Sequence, residues 1–402
     1  MNNHYRTSQG ALTLWQNTCQ QLGWVSRCRD AGQCSIVELT DPESGLSVRG
    51  SGKGISKEQA RVSASYEAFE LLMCQRQSLE PHHQLQSLSL QNLKSIQARL
   101  LGSPQRFCSE FLDSNNPFYS KPLPFLPFEN GHNGQTETAF MPMAAAEWSY
   151  SSHCSSTMND FYANYLFMAT TSGVASGLNY NDAWIHGITE LIERDALAGF
   201  MIRHCLNQAP ASPLLTTTLP EQARQIKARI ERNHGCHIAS FSMPNRFNIP
   251  AYISVANKQT RPRISGKGAN ISEEHALLRS LLETEEMLEY FLIYGQEEHQ
   301  KYDNACKQLE EWPALKSCID IDFKSTEESE SFHGQGSNES PYSLRTLNIL
   351  KESLEKQNIK VWVHVVRKEP PVVLRLYIEG IDEFFAIKDG VPVMPLKTSL
   401  IK

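Results

Sequence analysis

The sequence has no apolar run long enough to span a bilayer, and its opening "MNNHYRTSQG" lacks the basic start and apolar middle of a secretory signal. A membrane protein is excluded on that pattern, and the cytoplasm is the expected location. An excess of basic residues is missing too. Thirty-eight Lys and Arg face forty-four Asp and Glu, a formal net charge of -6, so nothing favours capture of nucleic acid or of an acidic membrane. Ten cysteines are present but no Cys-x-x-C, which leaves no disulfide framework and no structural zinc spacing. The short "HGCH" at His234–His237 could hold a metal, but reads better as a polar turn before the strand "IASFSM". No Ser-His-Asp or Cys-His arrangement offers a nucleophile with its base. Nor is there a Walker A loop: glycine follows the lysine of both Gly-Lys-Gly stretches, where that motif needs Ser or Thr, so a P-loop NTPase is excluded.

What remains is an ordinary globular composition, 40% hydrophobic and 20% charged over 402 residues, enough for a large buried core. Helical stretches ("ALTLWQNTCQQLG", "LRTLNILKESLEKQ") mix with strand-like ones ("CSIVEL", "GLSVRG", "CHIASFSM", "IPAYISVAN", "KVWVHVV", "VVLRLYI") without regular βαβ alternation. This favours an α+β fold. "LPFLPF" reads as extended or turn-like, "SYSSHCSSTMND" as a surface loop, and "TTSGVASGLNYND" as a small-residue loop opening a helix at Asp182. The acidic, Ser/Gly-rich "STEESESFHGQGSNES" reads as mobile.

One stretch occurs twice. "SGKGISKEQARVSASYEAFE" begins at Ser51, and "SGKGANISEEHALLRSLLETEE" at Ser265, with two residues inserted after Gly-Lys-Gly. Each reads as a Gly-Lys-Gly loop followed by a helix, with Ser56 and Ser272 as N-caps and Gln59 completing a capping box with Ser56. The helices carry Ala60, Glu67, Glu70 and Ala276, Glu283, Glu286 at identical offsets, and "DAWIHGITELIERDA" repeats them as Ala183, Glu190 and Glu193. Glutamates three apart share one helix face, where Ser63, Asp182, His186 and Arg279 join them. The rest of each helix is apolar enough to be interior. Buried carboxylates repel one another and need cations. Mg2+ is the natural one, taking carboxylate oxygens and sharing its shell with water and phosphate. The acids Glu67, Glu70, Asp182, Glu190, Glu193, Glu283 and Glu286 are therefore the candidate metal ligands. Lys53, Lys267, Arg194 and Arg279 are the candidate partners of a triphosphate.

In this order the blocks "YRTSQGALTLWQNTCQQLGWVSR", "GKGISKEQARVSASYEAFE", "TSGVASGLNYNDAWIHGITELIERDAL" and "GKGANISEEHALLRSLLETEE" resemble the YcaO family, ATP-dependent enzymes that activate peptide-backbone amides. The resemblance implies one YcaO domain over residues 1–402. It has an N-terminal part (1–50), a nucleotide-binding core (51–325), a mobile loop (326–341) and a C-terminal part (342–402). It implies ATP and Mg2+ at three converging glutamate helices. Ser63, Glu67 and Glu70 match the first motif, Glu190, Glu193 and Arg194 the second, and Glu283 the third. It departs at Leu71 (often arginine), Asp182 (often glutamate), Glu286 (often glutamine) and the tail "GVPVMPLKTSLIK", a weak version of the proline-rich terminus of azoline-forming members. The implied reaction is phosphorylation of a backbone carbonyl oxygen of a ribosomally made precursor peptide. An adjacent Cys, Ser or Thr then closes a thiazoline or oxazoline, as in bacteriocin maturation. External sulfide would instead give a thioamide, which the opening "YRT" and the weak tail favour. A non-catalytic precursor-docking protein and a stand-alone metabolic ligase are the other readings. The implied partners are the precursor peptide and a separate leader-binding protein, E1-like or TfuA-like; a homodimer is compatible, and neither nucleic acid nor membrane is expected.

Overall fold

The computed structural model describes residues 7–79, 86–130, 137–150, 154–258, 260–334 and 342–396. Helix α1 (Ser8–Gln21) leads into an antiparallel sheet of β1 (Val25–Ala31), β2 (Cys34–Thr40) and β3 (Ser47–Gly52), and helix α2 (Lys57–Leu79) packs over it. Then come β4 (Gln86–Leu88), α3 (Leu90–Ser95), β5 (Arg99–Leu100), β6 (Leu123–Asn130), β7 (Thr138–Pro142), α4 (Met143–Ala146), α5 (Ser156–Tyr165) and β8 (Val174–Gly177). Helix α6 (Tyr180–Phe200) runs on into a π-helical turn, Met201–Leu206, and α7 (Glu221–His234) follows. A second antiparallel sheet holds β9 (His237–Ser242), β10 (Ala251–Asn257) and β11 (Ser265–Ala269), and is followed by the long helix α8 (Glu273–Gln308). After α9 (Pro313–Ile319) and α10 (Leu344–Glu355), strands β12 (Val361–Arg367) and β13 (Val372–Ile378) complete a large sheet ordered β5-β7-β6-β12-β13-β8, with β4 on β6. A 3-10 helix, Phe384–Asp389, follows. This is one large α+β domain.

The repeated stretch is the end of a repeated unit, three antiparallel strands and a helix. Its glycines explain the local structure. A Cβ on Gly50 would lie 2.5 Å from the Ala64 carbonyl oxygen and the Ala68 nitrogen of α2, and one on Gly52 would collide with the Ala60 carbonyl. In the second unit Gly266 meets Ser280 and Thr284 in the same way, and Gly268 meets Ala276. Gly50 thus corresponds to Gly266 and Gly52 to Gly268. At that offset Ser56, Ala60, Glu67 and Glu70 fall on Ser272, Ala276, Glu283 and Glu286 with no insertion. The expected two-residue insertion disappears, and so does the second Gly-Lys-Gly loop, while the first keeps Lys53 and Gly54 in a loop. Gly266-Lys267-Gly268 is strand, and Lys53 lies just past the end of β3. Close approach of strand to helix backbone, not a turn, is what requires these glycines.

Other expectations change for related reasons. "TTSGVASGLNYND" contains strand β8 rather than only a loop, and its helix starts at Tyr180 with Asn179 as N-cap, not at Asp182. The serine-rich stretch carries α5 in its second half, capped by Ser155, while residues 151–153 lie outside the described residues. "LPFLPF" is strand β6. At "HGCH", Gly235 takes a left-handed conformation that ends α7, and His237 opens β9. Residues 326–332 run hydrogen-bonded beside 211–218, whereas 335–341 lie outside the described residues.

Each glutamate helix is seated by its apolar side. Phe69 and Leu72 of α2 pack with Leu39 and Val48, Ile188 and Leu191 of α6 with Leu374 and Leu376, and Leu277 and Leu281 of α8 with Tyr252. Burial of a leucine or phenylalanine side chain stabilises by roughly 1.5–3 kcal/mol, enough to hold the charged faces inward. Both serine caps form: Ser56 Oγ accepts the Gln59 N–H at 3.3 Å and Ser272 Oγ the His275 N–H at 3.4 Å. Gln59 reaches back to the Ile55 N–H at 3.0 Å.

Candidate functional site

The three glutamate faces meet, and their contacts cross from one element to another. Lys53, delivered by the end of β3, places Nζ 2.6 Å from Glu283 Oε2 and 3.4 Å from Glu286 Oε2, both on α8. Lys267 of β11 reaches the other oxygen of Glu283 at 3.1 Å. Arg279 of α8 points to Glu193 of α6, 3.9 Å away, and Arg194 to Glu190 at 3.4 Å. Glu70 of α2 is received by β8: Ser176 gives it a backbone N–H at 2.7 Å and a hydroxyl at 2.6 Å. Glu67 accepts the Ser51 N–H at 3.0 Å. Asp182 sits in the first turn of α6, bonded to Asn179. Ser63 is half-buried on α2.

The electrostatics sort these acids. Burial raises Glu67 well above the carboxylate range, with Glu286 and Glu70 adding repulsion. Burial alone dominates at Glu70 and lifts it to about 8, against the two Ser176 bonds that lower it. Glu190 is raised by burial, partly offset by Arg194. Glu283 behaves oppositely: burial would raise it, but Lys267 and Lys53 together hold it far below the usual range. Lys53 is correspondingly raised, because Glu283 and Glu286 outweigh its burial. His186 is pushed down to about 4 by burial and by Arg279, and is neutral at physiological pH.

The donors fit Mg2+ and phosphate. The seven candidate carboxylates outnumber the four candidate cations, and Glu67 and Glu70, both raised by burial, have no cation partner among the described residues. Glu193 Oε2 is buried with no hydrogen-bond donor, and Nε of both Arg194 and Arg279 is buried with no acceptor. A buried orphan is costly, and a metal ion and a phosphate would satisfy these three groups. Among the described residues no three His, Cys, Asp or Glu side chains close on one point as a finished metal cage.

Sequence reasoning missed two neighbours. Phe385, in the 3-10 helix, lies with its ring 5.0 Å from the Arg194 guanidinium. Lys388, three residues on, is within electrostatic reach of Lys267, Arg194 and Glu283. No motif announces either. The sequence treats this region only as the approach to a weak proline-rich tail, whose residues 397–402 lie outside the described residues. Among those described, no helix is long and apolar enough to cross a membrane.

Three comparisons bear on this arrangement. The family model described as YcaO cyclodehydratase, ATP- and Mg2+-binding, matches residues 51–377. No curated protein matches the sequence. The fold is similar to that of a YcaO protein from Methanopyrus kandleri, solved with AMPPCP and Mg2+. The TM-score is 0.64 at 16% identity, covering 97% of this chain and 95% of that one. It is also similar to a heterocyclase solved with substrate and cofactor, with a TM-score of 0.64 at 18% identity over 96% of this chain. The match spans 56% of that heterocyclase's length. With the family model covering all three glutamate helices, the chain belongs to the YcaO family, whose members bind ATP and Mg2+.

Proposed function

We propose that the protein activates backbone amides of a ribosomally made precursor peptide with ATP, closing thiazoline or oxazoline rings from adjacent Cys, Ser or Thr side chains. The observation that carries this reading is the orphaned trio of Glu193, Arg194 and Arg279 on two of the three glutamate helices. In this reading Glu70, Glu190, Glu193 and Glu286 hold Mg2+, with Glu67, Asp182 and Glu283 completing the acidic wall. Bound Mg2+ supplies Lewis-acid neutralisation of charge on phosphoryl oxygens. Arg194, Arg279, Lys53 and Lys267 orient the triphosphate and stabilise the charge that develops as phosphate passes to the amide oxygen. Ser63 offers a hydroxyl to the same phosphates.

An amide is a poor electrophile until its oxygen carries phosphate; the peptide's own side chain then attacks the carbonyl carbon and phosphate departs with the oxygen. The chain need not provide a nucleophile. The cysteines nearest the cluster support this: burial pushes Cys74 up to about 12 and Cys34 higher still, so both remain thiols. Delivery of the precursor by a separate leader-binding partner belongs to the same reading.

The test measures ATP consumption and product mass with the precursor peptide and partner supplied, comparing wild type with Glu190→Gln. Wild type is expected to release phosphate and remove about 18 Da, one water, per ring, and the variant to lose at least about a hundredfold in rate. A gain of about 16 Da in the presence of sulfide would instead establish thioamide formation through the same activated oxygen. No ATP turnover by wild type would favour the precursor-docking reading.

A further inference from the structure

The last described stretch of chain is fastened to α6 by a buried polar clasp. Asp195, the residue after Arg194, is fully buried and accepts the Asp382 backbone N–H at 3.0 Å. Asp382 is equally buried; its carboxylate accepts Gln105 Nε2 at 2.9 Å, the Phe384 N–H at 3.1 Å and the Leu396 N–H at 3.1 Å. Buried carboxylates satisfied by several donors fix the backbone that supplies them, since release of any one leaves another unpaired. What this clasp fixes is the 3-10 helix Phe384–Asp389, which sets the Phe385 ring 5.0 Å from the Arg194 guanidinium; side chains three apart on such a helix lie one above the other, so Lys388 shares that face.

Lys388 differs from the other cations there. Lys53 and Lys267 are paired with Glu283, Arg194 with Glu190 and Arg279 with Glu193. Among the described residues, Lys388 alone of the five has no carboxylate within ion-pairing distance. Burial and the charge of Lys267 bring its ammonium down to about 8, against Asp389 and Glu283, which raise it. A lysine on that face without an ion-pair partner is matched by an anion brought from outside, and the anion that this family binds is a triphosphate.

We propose that Lys388 is a fifth cation of the nucleotide site and meets phosphate oxygens of ATP. The proposal rests on the glutamate cluster being the ATP site. Calorimetric titration of the full chain with ATP, and separately with adenosine, tests it. Lys388→Ala is expected to weaken ATP at least about tenfold, the worth of one charged hydrogen bond, while adenosine affinity stays at the wild-type value. Lys388→Arg is expected to recover most of the loss, because the charge is kept. Wild-type affinity for ATP in Lys388→Ala overturns the proposal, and so does an equal loss for ATP and adenosine, which would mark a structural role. Wild-type protein without ATP affinity would overturn the site reading itself, a result separable from either.

Discussion

The two sheet-and-helix units, β1–β3 with α2 and β9–β11 with α8, share glycines, caps and glutamates at one constant offset, yet they leave equivalent carboxylates in opposite states. Glu67 and Glu283 occupy the same position. The first is raised well above the carboxylate range by burial; the second is held far below it by Lys267 and Lys53. The cause is one position in the strand. Where the second unit has Lys267, the first has Ser51, which gives Glu67 only a backbone N–H. The first unit's own lysine, Lys53, crosses to the second unit's glutamates. The repeated scaffold is therefore divided into a half whose Glu67 and Glu70 lack cation partners among the described residues and a half fed with lysines; in the proposed reading, metal-bound phosphate would sit between them.

The sharpest way to break the comparison is to neutralise each glutamate in turn. Both Glu283→Gln and Glu67→Gln are expected to cut ATP consumption at least about a hundredfold. Their stabilities should diverge. Glu283→Gln strands Lys267 and leaves Lys53 with Glu286 alone, and is expected to lose about 3 kcal/mol in urea unfolding, whereas Glu67→Gln, which relieves repulsion, stays within about 1 kcal/mol of wild type or above it. Equal losses would show that the two carboxylates are not in opposite states.

A somewhat smaller effect tests the shared scaffold. Gly52→Ala and Gly268→Ala each drive a methyl into a helix carbonyl, at Ala60 and Ala276, and should cost similar amounts, about 1–3 kcal/mol each. Unequal costs would mean that the two units do not share one register.

The last test is the pH dependence, measured without nucleotide or Mg2+. Glu70 retains its proton up to about pH 8 when folded, against an ordinary value of 4.5. Between those values the folded state binds more protons, so stability falls as pH rises, and Glu70→Gln should flatten that slope. Glu283 has the opposite sign: its contribution is complete above its ordinary 4.5 and is lost on acidification below it. Glu283→Gln should remove that acid-side loss.

Much of this was legible in the sequence because local rules specify it. The glutamate spacing, the serine caps at Ser56 and Ser272, and the alternating strands around Ile238 and Ile253 all follow from short-range pattern. The strand character of Gly266-Lys267-Gly268 and of Val174–Gly177 did not. Glycine, alanine and serine carry no β-preference, and only the opposing helix backbone explains them. Matching the two Ser-Gly-Lys-Gly runs by identity misaligned the units by two residues, since the true register is set by which glycine faces the helix. Pairing of Lys53 with Glu283, and the placing of Lys388, depend on tertiary crossings that no local pattern encodes.

Those crossings also decide when the site can exist. Lys53 and Glu283 lie 230 residues apart in the chain, and the clasp joins positions 187 apart. A chain emerging from the ribosome presents the first glutamate helix early, before the burial that raises its carboxylates and without partners from α8. The proposed phosphate site would be complete only after the second unit and the 3-10 helix have been made and docked. In the proposed reading, synthesis order leaves the nucleotide site incomplete until α8 is made: fragments ending before it carry five of the seven candidate carboxylates and three of the four cations, but lack Glu283, on which both lysines converge.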